Sequence, residues 1–321
     1  MAEPEKGNGT VRENWERRVL ERLADSAFKE QRRARRWGIF FKSLLFLYLF
    51  ALLFIAFPGG PDEPIATGGH TAVVEVRGVI ADTTPADADR VIKGLRRAFE
   101  HDDTEAVVVR INSPGGSPVQ AGLIYDEIHR QRSAHPDTPL YAVVEDICAS
   151  GGYYIAAAAD EIYANRASIV GSIGVLMNGF GFVDAMDKLG VERRLLTSGE
   201  NKALLDPFSP VDQGNVQHMQ GMLDTIHQQF IQAVKDGRGD RLANDPALFS
   251  GLIWTGQEGL DLGLVDGLGD LRYVAREVVG AEELVDFTPK RNYLEQFARQ
   301  FGSGAGETLR EWFGGPGPSL R

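Results

Sequence analysis

Cysteine is almost missing: the 321-residue chain has one, Cys148. That excludes an intrachain disulfide and is compatible with either side of a membrane. Lysine is scarce too, with eight in all: Lys6, Lys29, Lys42, Lys93, Lys188, Lys202, Lys235 and Lys290. Histidine occurs six times, and none falls between residues 136 and 217. Positive charge is short overall, with a formal net charge of −11. The shortage is uneven. Residues 1–57 hold eleven Lys/Arg against seven Asp/Glu, a net of +4, so the remainder carries −15. Such an acidic body argues against a nucleic-acid partner, which would need a basic face. No short-period repeat is visible.

One long apolar run is present, "WGIFFKSLLFLYLFALLFIAF", residues 37–57. As a helix it would reach roughly 31 Å, enough to cross a bilayer core. Its Lys42, near one end, can snorkel outward. "QRRARRW" precedes the run, and "PGGPDEPIATGGH", with no Lys or Arg, follows it. The positive-inside rule then puts residues 1–36 in the cytoplasm, as a charged segment, and residues 58–321 outside. The expected place is the inner membrane of a bacterial cell. A cleaved signal peptide is the alternative, but the preceding segment is long and no clear A-x-A site follows. Residues 58–70 read as a flexible linker.

From Thr71 the pattern alternates. "AVVEVRGVI", "EAVVVRI" and "LYAVVED" read as strands, with "EIYAN" and "VERRLLTSG" as further ones. "PADADRVIKGLRRAFEHD", "VQAGLIYDEIHRQR" and residues 214–235 read as helices. This alternation predicts an α/β fold with a mainly parallel sheet over 71–288, and a tail from 289 to 321.

Two glycine loops follow apolar strands: "NSPGG" and "CASGG". In neighbouring parallel strands they share the sheet edge where ligands bind. Ser150 then sits at a strand-to-helix turn as a candidate nucleophile, and Gly116 and Gly151 can offer backbone N–H groups as an oxyanion hole. Both loops also fit plain tight turns. A serine needs a base. No histidine lies in the stretch after Ser150 that would deliver one; His129 falls in a polar helix and His70 in the linker. A lysine can serve where burial leaves its amine neutral; arginine cannot. Lys202, after "LLTSGEN" and before the apolar "ALLDPF", fits that role, or that of an ordinary loop lysine. Cys148 reads as a small buried residue.

"NSPGG", "ASGGYYIA", "GSIGV" and "TSGENK", in this order, resemble the signal peptide peptidase A (SppA)/SohB family of membrane-anchored Ser-Lys peptidases, over about residues 71–285. The resemblance implies the Clp protease/crotonase fold, a spiral of β-β-α units. It implies Ser150 as nucleophile, Lys202 as general base, Ser172 as the hydroxyl that orients the lysine amine, and Gly116 with Gly151 as oxyanion hole. It implies no metal or cofactor. Its peptide substrates would be signal-peptide remnants and other extended or unfolded segments. The chain carries one copy of the fold where long members carry two, which implies a homo-oligomeric ring, suggested to be an octamer, with sites shared between subunits. The rival readings are a crotonase-type acyl-CoA enzyme and an inactive scaffold that binds membrane proteins.

Overall fold

Runs of β-branched residues alternate with amphipathic segments, and the alternation sets the element order. The computed structural model describes residues 9–56 and 68–289. Most of the expected linker and nearly all of the expected tail lie outside the described residues. The chain divides into two units, one holding the N-terminal helix and one holding the sheet.

In the first unit, α1 (Gly9–Ala56) is one unbroken helix, so the charged segment and the apolar run are continuous. Its described apolar side chains, Phe46 and Leu47 among them, are exposed. Phe57, the end of the expected span, is outside the described residues. Among the described residues no helix is long and apolar enough to cross a membrane.

The second unit is built on β1 (His70–Arg77), β2 (Thr104–Ser113) and β3 (Leu140–Ala149). They pair in parallel, as expected of continuous Val/Ile runs covered on both faces. The crossovers are α2 (Ala88–Phe99) and α3 (Pro118–Ala134), capped by Asp87 and Ser117, whose side chains accept from the backbone N–H of Arg90 and Gln120. Both helices press Val91, Leu95, Ile124 and Ile128 onto one face of the sheet, against Val74, Val109 and Ile111. The other face is covered by a helical turn, Leu271–Tyr273, that continues as a π-helix, Val274–Val279. It sets Val274 on Val108 and Val143. β8 (Leu284–Asp286) adds to β1 in parallel.

Beyond β3 the sheet forks. The first half of β3, Tyr141–Val144, pairs with β4 (Glu161–Ala164), which in turn pairs with β7 (Gly267–Leu268). The second half, Ile147–Ala149, pairs with β5 (Ile169–Gly171). The β2–β3 register slips between Ile111 and Ser113, so β3 carries extra residues where it changes partner. Such a bulge bends the strand and re-aims its end. β6 (Ile253–Thr255) pairs with β5 antiparallel, the one reversed ladder among the described residues. The result is the α/β fold on a mainly parallel sheet expected from the sequence.

The sequence pattern misleads in two places. "VERRLLTSG" forms no strand: no ladder is available there, and Leu196 is 98% exposed. His70 is no linker residue; it is fully buried as the first residue of β1, its ring stacked on Phe287.

Candidate active site

The strand order β2–β3–β5 places three strand ends side by side. Gly116 follows β2, Ser150 follows β3 and Ser172 follows β5. Ser150 joins β3 to the short helix α4 (Gly151–Ala156) with φ 53° and ψ −123°, a conformation that non-glycine residues avoid. Its N–H donates to the Gly171 carbonyl at 2.8 Å, which holds the turn to β5. Its hydroxyl does not cap α4. The side chain is left to face a cleft of about 720 Å3 lined also by Gly116, Gly151, Tyr154, Ser172 and His227.

The glycines are there for close approach. A methyl group at Gly115 (φ 97°) would stand 2.7 Å from both the Gly151 nitrogen and the Ser150 Cβ. One at Gly116 would stand 2.1 Å from the Ile80 carbonyl oxygen. Ile80 donates to Gly115 O and accepts from the Ser117 N–H, flanking Gly116 on either side. In a parallel bridge of this kind the N–H of Gly116 itself points the opposite way. The Gly116 nitrogen lies 3.3 Å from where a Gly151 Cβ would be. Gly151 is the first residue of α4, so its N–H has no acceptor within the helix. The loop at Gly115 and Gly116 and the start of α4 therefore pack closely beside Ser150, and all three of Gly116, Ser150 and Gly151 line the cleft.

Ser172 repeats the strain, with φ 52°, and donates its N–H to Leu252 O at 2.7 Å. Cys148 is fully buried, and burial pushes its thiol up, so it stores no thiolate. Burial likewise raises the Tyr154 phenol.

Lys202 is not brought into this cleft. It stands exposed on the turn 199–206, its N–H donating to Gly199 O, within a projecting arm, residues 174–212. The arm's helix α5 (Val183–Leu189) has no buried residue. His227 was not anticipated. It sits on α6 (Gln213–Arg238), with Nε2 3.0 Å from Ile173 O, and lines the cleft. The signal for it was helical spacing: His227 shares a face with the buried Phe230 three residues on.

Residues 133–285 match the model of Peptidase family S49. "Putative protease slr0021" of Synechocystis is 34% identical over 220 residues, covering 68% of this chain and 77% of that protein. The chain belongs to peptidase family S49, in its SppA/SohB branch. "Protease 4" of Haemophilus influenzae is 29% identical over 266 residues, 77% of this chain and 42% of that protein. A Brucella abortus protein named "Na(+)/H(+) antiporter NhaA" is 46% identical over 201 residues, 62% of this chain. The matched part spans about a quarter, 27%, of that relative's length.

Proposed function

We propose that the protein is a serine endopeptidase with a Ser-Lys dyad. The observation that carries this is the strained Ser150 at a strand-to-helix turn, in a cleft lined also by Gly116 and Gly151. Ser150 Oγ attacks a peptide carbonyl, and the developing oxyanion is held by the N–H groups of Gly116 and Gly151. Neutral Lys202 takes the hydroxyl proton and returns it to the leaving amine. Water then hydrolyses the acyl-enzyme, and Ser172 orients the lysine amine.

Lys202 reaches the site from a neighbouring subunit in a homo-oligomeric ring. What supports sharing is the arm: it carries Lys202 outside its own cleft and exposes Leu176, Phe180, Leu189 and Leu196, apolar surface that a second copy would cover. The apolar run of residues 37–57, which extends past the described residues, supports a membrane anchor for the ring, with the peptidase unit on the extracytoplasmic side. Its substrates are signal-peptide remnants and other extended segments that a closed ring admits. A reporter fused after Arg321 should read out on the non-cytoplasmic side; a cytoplasmic signal would remove this topology.

The decisive experiment mixes two inactive proteins, Ser150→Ala and Lys202→Ala, under subunit exchange. Sites between neighbours regain about a quarter of wild-type activity, half times half. Sites within one chain regain nothing. A second reading has its own observation: His227 lines the Ser150 cleft within the same protomer. Activity that survives Lys202→Ala and vanishes in His227→Ala would make histidine the base.

A further inference from the structure

The arm that carries Lys202 has almost no apolar core, yet it contains one closely built cluster. Asp206, at the end of the lysine turn, has its side chain only 10% exposed. Its carboxylate is ion-paired with Arg193, at 2.9 Å from Nε, and accepts from the Ser209 hydroxyl at 2.7 Å. The Arg193 guanidinium carbon lies 5.3 Å from the centroid of the Phe208 ring, and Phe208 stacks on Phe182 at 5.4 Å. The Phe182 N–H, at the start of α5, donates to Pro207 O at 2.7 Å. From these contacts the lysine turn is tied to both preceding segments of the arm. Inside it, consecutive bonds run from Lys202 N–H to Gly199 O, Leu204 N–H to Asn201 O and Asp206 N–H to Ala203 O. Leu205 closes the turn at φ 51°, the one non-glycine residue with positive φ outside the cleft among the described residues. A strained turn persists only where its surroundings over-determine it.

We infer that the Arg193–Asp206 pair, packed on Phe208, is a positioning clamp for Lys202. It fixes the turn's path so that the amine arrives at Ser150 in one geometry. This rests on the dyad with Lys202 as base proposed above. A surface ion pair contributes little to stability. This one is half-sheltered and, with the Arg193–Phe208 contact, joins the segment of Arg193 to the lysine turn, so its effect falls on geometry. A displacement of about 1 Å at a reacting group can cost on the order of a hundredfold in rate.

The test uses the full chain carrying Asp206→Asn or Arg193→Gln. The expected result is a fall in kcat of about tenfold to a hundredfold. KM should stay within about twofold and the thermal unfolding midpoint unchanged, because the clamp touches neither the cleft nor the sheet core. Subunit mixing then locates the defect. With Ser150→Ala, whose lysine turn is intact, Asp206→Asn should recover about a quarter of wild-type activity. With Lys202→Ala it should recover only its own residual level. Unchanged kcat in both variants overturns the clamp, and so does equal recovery with both partners. If the control mixture of Ser150→Ala and Lys202→Ala stays inactive, sharing between subunits fails by itself, and kcat of the two variants still decides the clamp. If Lys202→Ala alone keeps wild-type activity, the dyad fails, and that outcome is distinct from either result for Asp206.

Discussion

The two halves of the proposed dyad sit in regions built by opposite rules. Ser150 stands on a sheet whose central strands are closed on both faces: Val74, Val109 and Ile111 are buried on one, Val108 and Val143 on the other. Lys202 stands on an arm whose helix buries nothing and whose Leu196 is 98% exposed. In the first region, position is enforced by packing. In the second it depends on a few polar contacts and on whatever covers the exposed apolar residues. The nucleophile can therefore tolerate a strained φ, since the surrounding core holds it there. The arm leaves its protomer's core untouched and is suited to delivering a group elsewhere.

The largest effect should come from the reacting groups, one in each region. Ser150→Ala and Lys202→Ala should each lower kcat/KM by on the order of 10^4-fold or more without unfolding the sheet unit. Lys202→Arg should fail as well, since arginine keeps its proton. Peptide turnover assays decide this, and appreciable turnover by Lys202→Arg would leave the arm without a chemical role.

Next in size is a change beside the nucleophile. Gly116→Ala drives a methyl group to within 2.1 Å of Ile80 O, so the loop must move and its N–H with it. Loss of one oxyanion donor costs about 10^2–10^3 in kcat. Steady-state kinetics on the purified variant checks this; a kcat within threefold of wild type would mean that Gly116 donates nothing.

The contrast can be sharpened by truncating one apolar residue in each region. Ile111→Ala, in the core against α2 and α3, should lower stability by about 2–5 kcal/mol. Leu196→Ala should alter unfolding of an isolated protomer by no more than about 0.5 kcal/mol. If the arm meets a second copy, that same variant should weaken assembly in sedimentation. Equal destabilisation by the two would show that the arm packs on its own protomer in solution.

The same contrast explains what could be read from the sequence. The strands β1–β3 and helices α2, α3 and α6 were legible because burial imposes a period, and Val-Val-Val or Val91/Leu95 spacing reports it directly. The shared edge of the "NSPGG" and "CASGG" loops followed from parallel neighbours. The fork of β3 was not legible, since β5, β6, β7 and β8 are two or three residues long, too short for any period. Nor was Ile80, whose backbone alone holds Gly116. "VERRLLTSG" misled because its β-like composition has no partner strand in the protomer. His227 was not legible because it lies far along the chain on α6, in no motif, and only the fold brings it to the Ser150 cleft.

The smallest effect lies wholly within the sheet unit and should leave the arm unaffected. Glu127 on α3 is 7% exposed, and it accepts from Arg96 of α2, from Arg130 and from Gln131. Burial opposes its charge, but the hydrogen bonds from Arg130, Arg96 and Gln131 prevail and hold the carboxyl down to about 2. The folded value is thus below the ordinary glutamate value of 4.5. Its stabilisation is then complete above pH 4.5 and drains away as pH falls toward 2. The shift bounds the effect at about 3 kcal/mol, and screening of the two half-exposed arginines lowers it. Glu127→Gln should lose about 1–2 kcal/mol at neutral pH and flatten the acid side of the stability curve. Denaturant unfolding between pH 2.5 and 7 measures both. Peptidase activity at neutral pH should stay near wild type, since α2 and α3 remain packed through Val91, Leu95, Ile124 and Ile128. An unchanged acid slope in Glu127→Gln would assign the acid sensitivity to other carboxylates. A large loss of activity would show that the α2–α3 pairing reaches the Ser150 cleft.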